Sequence, residues 1–142
     1  MNAIACLTQQ HRDCDAILAQ AEQAVRHGDW TTAGQTCLRL ATDLEQHFQL
    51  EEQQLFPAFE AATGMYSGPT AVMRQEHQQI RLLLQDMDDA LLASDASAWL
   101  GHAETLLILT QQHNMKEENI LYPMCRQHIA GFEQMVRPGA SA

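Results

Sequence analysis

Two stretches of the chain carry residues fit for chemistry at one and the same spacing. His47-Phe-Gln-Leu-Glu-Glu-Gln-Gln-Leu-Phe-Pro57 aligns without a gap on His113-Asn-Met-Lys-Glu-Glu-Asn-Ile-Leu-Tyr-Pro123, with His, both Glu, Leu and Pro identical. His113 follows His47 by 66 residues, and His77 follows His11 by the same 66. The chain therefore reads as two copies of one unit, each with a lone His and, 36 residues later, an HxxxE pair. Residues four apart on an α-helix lie about 40° apart in azimuth, so His47 and Glu51 face one place, as do His113 and Glu117. Four imidazoles and two carboxylates converging on one centre form an N/O set suited to iron, manganese or zinc. The carboxylates are also able to bridge two ions, in a pair about 3.5–4 Å apart.

The same azimuth arithmetic sorts the neighbours. Glu52 and Glu118 stand five residues after their histidines, about 140° round an ideal helix, and are expected to face outward. Tyr122 stands nine residues after His113, about 180° away, so a phenol ligand is not expected. His27, His102 and His128 have no histidine at the matching position and read as solvated or capping residues. Cys14, one turn from His11, reads as a small buried hydrophobe, and so do Cys37 and Cys125. No His has a Glu three residues before it, so the ExxH pattern of ferritin-like carboxylate bundles is absent. Structural zinc sites are Cys-rich and four-coordinate, and the cysteines here do not join the HxxxE pairs.

These six residues need elements to hold them. Glycine (7) and proline (4) are sparse and gather where turns belong, leaving long uninterrupted stretches with apolar steps of three and four and no alternating strands. Four stripes emerge, through Leu7, His11, Cys14 and Leu18; Leu40, Leu44, His47, Glu51 and Leu55; Met73, His77, Ile80 and Leu84; and Leu106, Thr110, His113, Glu117 and Ile120. The spacing predicts an all-α, antiparallel up-down-up-down four-helix bundle over 1–136, built from two repeated hairpins. A short helical piece follows His128, and 137–142 is expected to be a flexible tail. Asp29 and Asp95 are expected to cap the second and fourth helices, Gly64 to end the second, and Pro69 to sit in the first turn of the third. Trp30 and Trp99 are expected to plug the bundle near the hairpin turns, and Pro57 and Pro123 to kink or end their helices at matching heights. The six titratable residues occupy positions where leucine belongs, and burying them without partners costs several kcal/mol each.

Composition limits the function classes. The 18 Asp+Glu against 8 Lys+Arg give a formal charge of −10, which argues against nucleic-acid or anionic-membrane binding. No apolar run approaches the roughly 18 residues of a membrane span. Met1–Leu7 lacks a basic segment and a long apolar stretch, and the four cysteines form no CxxC, so the expectation is a cytoplasmic protein with reduced thiols.

From His11 through Pro123 the chain resembles the hemerythrin-like, HHE cation-binding family. The resemblance implies a non-haem di-iron centre with an oxo or hydroxo bridge, held by His11, His47, Glu51, His77, His113 and Glu117, with Glu51 and Glu117 as carboxylate bridges. Mn and Zn rank behind iron. Oxygen-carrying hemerythrins use a fifth His in an HxxxH pair, but Met73 and Arg81 flank His77 at four residues. They also use HxxxxD where this chain has Glu117 at +4 and Glu118 at +5; azimuth and repeat symmetry favour Glu117, and a kinked helix would admit Glu118. Ligand counting leaves roughly one open position per ion, suited to O₂, NO or peroxide. The implied function is binding or sensing of O₂ or NO, or holding of iron; the alternative is a redox enzyme turning over NO or peroxide at the same ions.

Overall fold

The computed structural model describes residues 2–136, and the expected tail over 137–142 lies outside the described residues. Helix α1 spans Ala3–Arg26 and α2 spans Trp30–Leu50. Through a π-turn at Glu51–Leu55, α2 runs on into α3 (Phe56–Thr63). The second hairpin repeats the plan: α4 spans Pro69–Leu92, α5 spans Ala96–Lys116, and a π-turn at Glu117–Leu121 leads into α6 (Tyr122–His128). A single turn, α7 (Phe132–Met135), follows. The four rods pack in a ring, α1 beside α2 and α5, and α4 beside α5 and α2. This is the expected antiparallel four-helix bundle.

Local chemistry sets the ends. The Asp29 carboxylate accepts from the Thr32 N–H at 3.1 Å, and the Asp95 carboxylate from the Ala98 N–H at 3.0 Å. The duplication extends into these turns, where Gly28 and Ser94, 66 residues apart, both take positive φ (70° and 49°). Gly64 closes α3 in the left-handed conformation, and Pro69 opens α4. Neither Pro57 nor Pro123 ends its rod. Each follows directly on a π-turn in which the Phe56 or Tyr122 N–H bonds back five residues, to the Glu51 or Glu117 carbonyl. The disturbance expected from proline is thus a widened turn at the same height in both copies.

The interior has three layers. Near the hairpin turns, Leu18, Val25, Leu40, Met87, Trp99 and Leu106 form one apolar cluster, with Trp30 against its edge. At the far end Leu7, Leu55, Phe56, Phe59, Met73, Leu121 and Tyr122 form another, closed over by Ile129, Phe132 and Val136 from the α7 region. Glu133 ties that closing segment to α1 by accepting from the Ala3 N–H at 2.8 Å. Between the two clusters lies a layer of buried histidine and glutamate. The four cysteines are free thiols. Among the described residues no helix is long and apolar enough to cross a membrane.

Candidate metal centre

Each rod contributes to the middle layer: His11 from α1, His47 and Glu51 from the α2 rod, His77 from α4, and His113 and Glu117 from the α5 rod. All six are buried, and Glu51, His77 and Glu117 are fully so. They fall into two overlapping groups. Donor atoms of Glu51, His77, His113 and Glu117 lie within 4.8 Å of one another, as do those of His11, His47 and Glu117. The six expected residues therefore meet at one place, and Glu117, not Glu118, points into it.

The histidines are held from behind. The His77 Nδ1 meets Glu52 at 2.6 Å, and the His11 Nδ1 meets Glu118 at 2.7 Å. The His47 Nδ1 meets the Gln10 amide oxygen at 2.6 Å, and the His113 Nδ1 meets Glu76 at 2.8 Å. These partners obey the repeat, since Glu52 pairs with Glu118 and Gln10 with Glu76 across 66 residues. All four partners accept, so each ring donates through Nδ1 and turns Nε2 inward. The expectation that Glu52 and Glu118 face outward is corrected here. A rotation of about 140° carries them sideways to the neighbouring rod, where each is half-buried against that rod's histidine. Glu52 is further pinned by Arg81, at 2.9 and 3.2 Å.

Tyr122 is the second correction. A π-turn adds one residue to the turn and sets later residues back by about 100°, so Tyr122 stands as though eight residues after His113, about 80° away. Its hydroxyl lies 2.7 Å from Glu51 Oε2 and 2.9 Å from Glu117 Oε1. Its ring stacks on His11 at 5.8 Å, just as that of its repeat mate Phe56 stacks on His77 at 5.7 Å. The azimuth rule assumed a uniform helix, and both residues follow the widened turns.

Four of the inward atoms find no partner. Glu51 Oε1, Glu117 Oε2, His77 Nε2 and His113 Nε2 are buried without a hydrogen bond. His77 Nε2 and Glu51 Oε1 lie only 3.1 Å apart, yet they are misaligned for a hydrogen bond. Donor atoms that approach without bonding are arranged as ligands of a shared cation are. Electrostatics agrees. Burial opposes a charged His47, but Glu51 and Glu117 prevail and push its imidazole up to about 10. Burial likewise opposes a charged His113, and Glu117 and Glu51 raise it to about 9. Glu117 stays well below the usual carboxyl range despite burial, held there by Glu51, His113 and His11. The layer draws positive charge, and protons supply it where no ion does. The residues present therefore fit a bound cation.

The two halves differ around this shared plan. Phe48 stacks on His77 at 3.8 Å, and the Arg81 guanidinium lies 5.3 Å over the Phe48 ring, so the α2–α4 side is closed. The repeat mates of Phe48 and Arg81 are Asn114 and Asp15. A cavity of about 20 Å³, rimmed on that side by half-buried Gln10, Asp15 and Asn114, reaches His11, His47 and His113, with Phe48 also in its wall. That volume suits one water or a diatomic molecule. Cys14 lines it too; burial, then Asp43, Asp15 and Asp13, raise its thiol to about 12, which leaves it protonated and inert as expected.

Comparison with known proteins agrees with this geometry. The chain is 31% identical over 98 residues to uncharacterized proteins of Mycobacterium bovis and Mycobacterium tuberculosis, covering 63% of this chain and 37% of each relative. The matched region thus spans little more than a third of those proteins. No solved structure matches the chain. The model of the hemerythrin HHE cation-binding domain matches residues 2–125, which takes in every residue of the buried His/Glu layer. The chain belongs to the hemerythrin HHE cation-binding family.

Proposed function

We propose that the layer holds two iron ions, one beside His11 and His47 and the other beside His77 and His113, with Glu51 and Glu117 shared between them. The pair binds or senses O₂ or NO, or holds iron for release. One observation carries the reading: four imidazoles donate outward through Nδ1 and turn Nε2 inward, where Nε2 of His77 and His113 and one oxygen each of Glu51 and Glu117 are buried without a hydrogen bond. Two carboxylates against four neutral imidazoles give a ligand charge of −2, which leaves a surplus of positive charge on two divalent ions and favours electron-rich small ligands. A cavity of diatomic size beside His11 and His47 supports small-molecule binding over storage alone. When bound, iron supplies the open coordination position and the redox capacity. The chain's own residues position the imidazoles, keep Glu117 ionised and limit what enters.

The test is the metal content of protein purified without added metal, followed by an optical spectrum in air. About two irons per chain are expected, and Glu51→Ala is expected to lose both. One zinc per chain, or iron content unaffected by Glu51→Ala, overturns the reading.

A further inference from the structure

We infer that Tyr122 is a seventh ligand, binding through its phenolate oxygen to the ion beside His11 and His47. The inference rests on the two-ion reading above and adds a residue that the six-residue pattern does not contain. Ligands held about 2.1 Å from an octahedral ion at right angles stand about 3.0 Å from one another. The Tyr122 hydroxyl oxygen stands 2.7 Å from Glu51 Oε2, 2.9 Å from Glu117 Oε1, 3.2 Å from His11 Nε2 and 3.3 Å from His47 Nε2. His11 Nε2 is in turn 3.1 Å from His47 Nε2 and 3.1 Å from Glu117 Oε1. His47 Nε2 and Glu117 Oε1, at 3.8 Å, are the wider pair. The Tyr122 oxygen, His11 Nε2, His47 Nε2 and Glu117 Oε1 thus lie at the spacing of one coordination shell, with Glu51 Oε2 against the phenol oxygen.

One hydrogen bond accounts for only one of these four contacts. A phenol has one proton, and it faces two carboxylate oxygens and two imidazole nitrogens. Those imidazoles reach Glu118 and Gln10 through Nδ1, and both turn Nε2 toward the phenol oxygen. Its one proton satisfies one of the four, whereas a cation set among them engages all four and the phenol oxygen at once. On ligation the O–H bond breaks, an oxygen–metal bond forms and the proton leaves to solvent; nothing is oxidised or reduced. The repeat mate Phe56 has no oxygen, so the two ions are chemically inequivalent, and the phenolate belongs to the one beside His11 and His47.

The experiment uses the full chain loaded with iron, oxidised in air, and carrying ring-deuterated tyrosine. The chain has two tyrosines, and Tyr66 is 63% exposed, so a metal-phenolate signature belongs to Tyr122. Expected are a visible phenolate-to-ferric charge-transfer band and resonance-Raman ring modes that shift on deuteration. Both are expected to be lost in Tyr122→Phe with about two irons per chain retained, and to be unchanged in Tyr66→Phe. Two irons bound without the signature in the wild-type chain overturn this inference and leave the two-ion reading standing. Persistence of the band in Tyr122→Phe also overturns it. Failure to bind iron overturns both.

Discussion

Replacing Glu52 by alanine tests whether the residues behind the histidines govern ion binding. Glu52 accepts from the His77 Nδ1 at 2.6 Å and from Arg81 at 2.9 and 3.2 Å, so the change removes the group that fixes the ring's orientation and tautomer. A hydrogen bond to a charged partner contributes about 1.5–3 kcal/mol, and loss of a group behind a metal-bound histidine costs about 10–100-fold in affinity, roughly 1.4–2.7 kcal/mol. The two ranges agree. Glu52 is pinned by a guanidinium, whereas Glu118 is 31% exposed and faces the Asp15 side, so Glu52→Ala is placed near 100-fold and Glu118→Ala near 10-fold. Glu45→Ala is the control, since Glu45 holds Arg81 but touches no histidine, and its effect is expected within about twofold. Competition of the protein with a chromophoric chelator for ferrous iron, without oxygen, measures all three. Affinity of a folded Glu52→Ala protein within twofold of the parent refutes the reasoning, and so does an equal loss in Glu45→Ala.

Three further predictions follow from geometry already described. In the metal-free protein His47 and His113 have pKa values raised to about 10 and about 9, so their stabilisation is complete below about pH 6.5 and lost as pH climbs through the raised values. Between those limits the folded chain keeps protons that the unfolded chain has released, so melting curves are expected to fall from pH 7 to pH 10 without metal and to stay level with it. Asn114→Phe is expected to close the cavity beside His11 and His47 as Phe48 closes the opposite side, slowing azide binding to the iron-loaded protein in stopped flow while iron content holds. Ser94→Gly relieves a non-glycine residue at φ 49° and is expected to stabilise the fold by about 0.5–1 kcal/mol, read as a rise of a few degrees in Tm.

The fold was legible because its signals are local and agree. Asp29, Asp95, Gly64 and Pro69 each specify a helix end by their own chemistry, and the stripes leave one way to bury four faces. The six inward residues were legible for a different reason: they break the stripe, and the 66-residue interval repeats the break. What lay beyond reach was orientation after Glu51 and Glu117. Azimuth arithmetic holds only while the turn keeps its pitch, and a single π-turn moved Tyr122 from the far side of its rod to the centre of the site. Glu52, Glu118, Gln10 and Glu76 were missed because a lateral residue reaches a neighbouring rod, and sequence spacing within one rod is silent about that. The duplication carried a usable sign, since both glutamates of the pair persist in both copies and Gln10 and Glu76 share the interval.

The sandwiching of a charged stratum between two oily blocks bears on how the chain assembles. Hydrophobic collapse draws each block together but gives no pull across the seam, where desolvating bare carboxylates resists closure. A cation held there ties all four rods together at the seam.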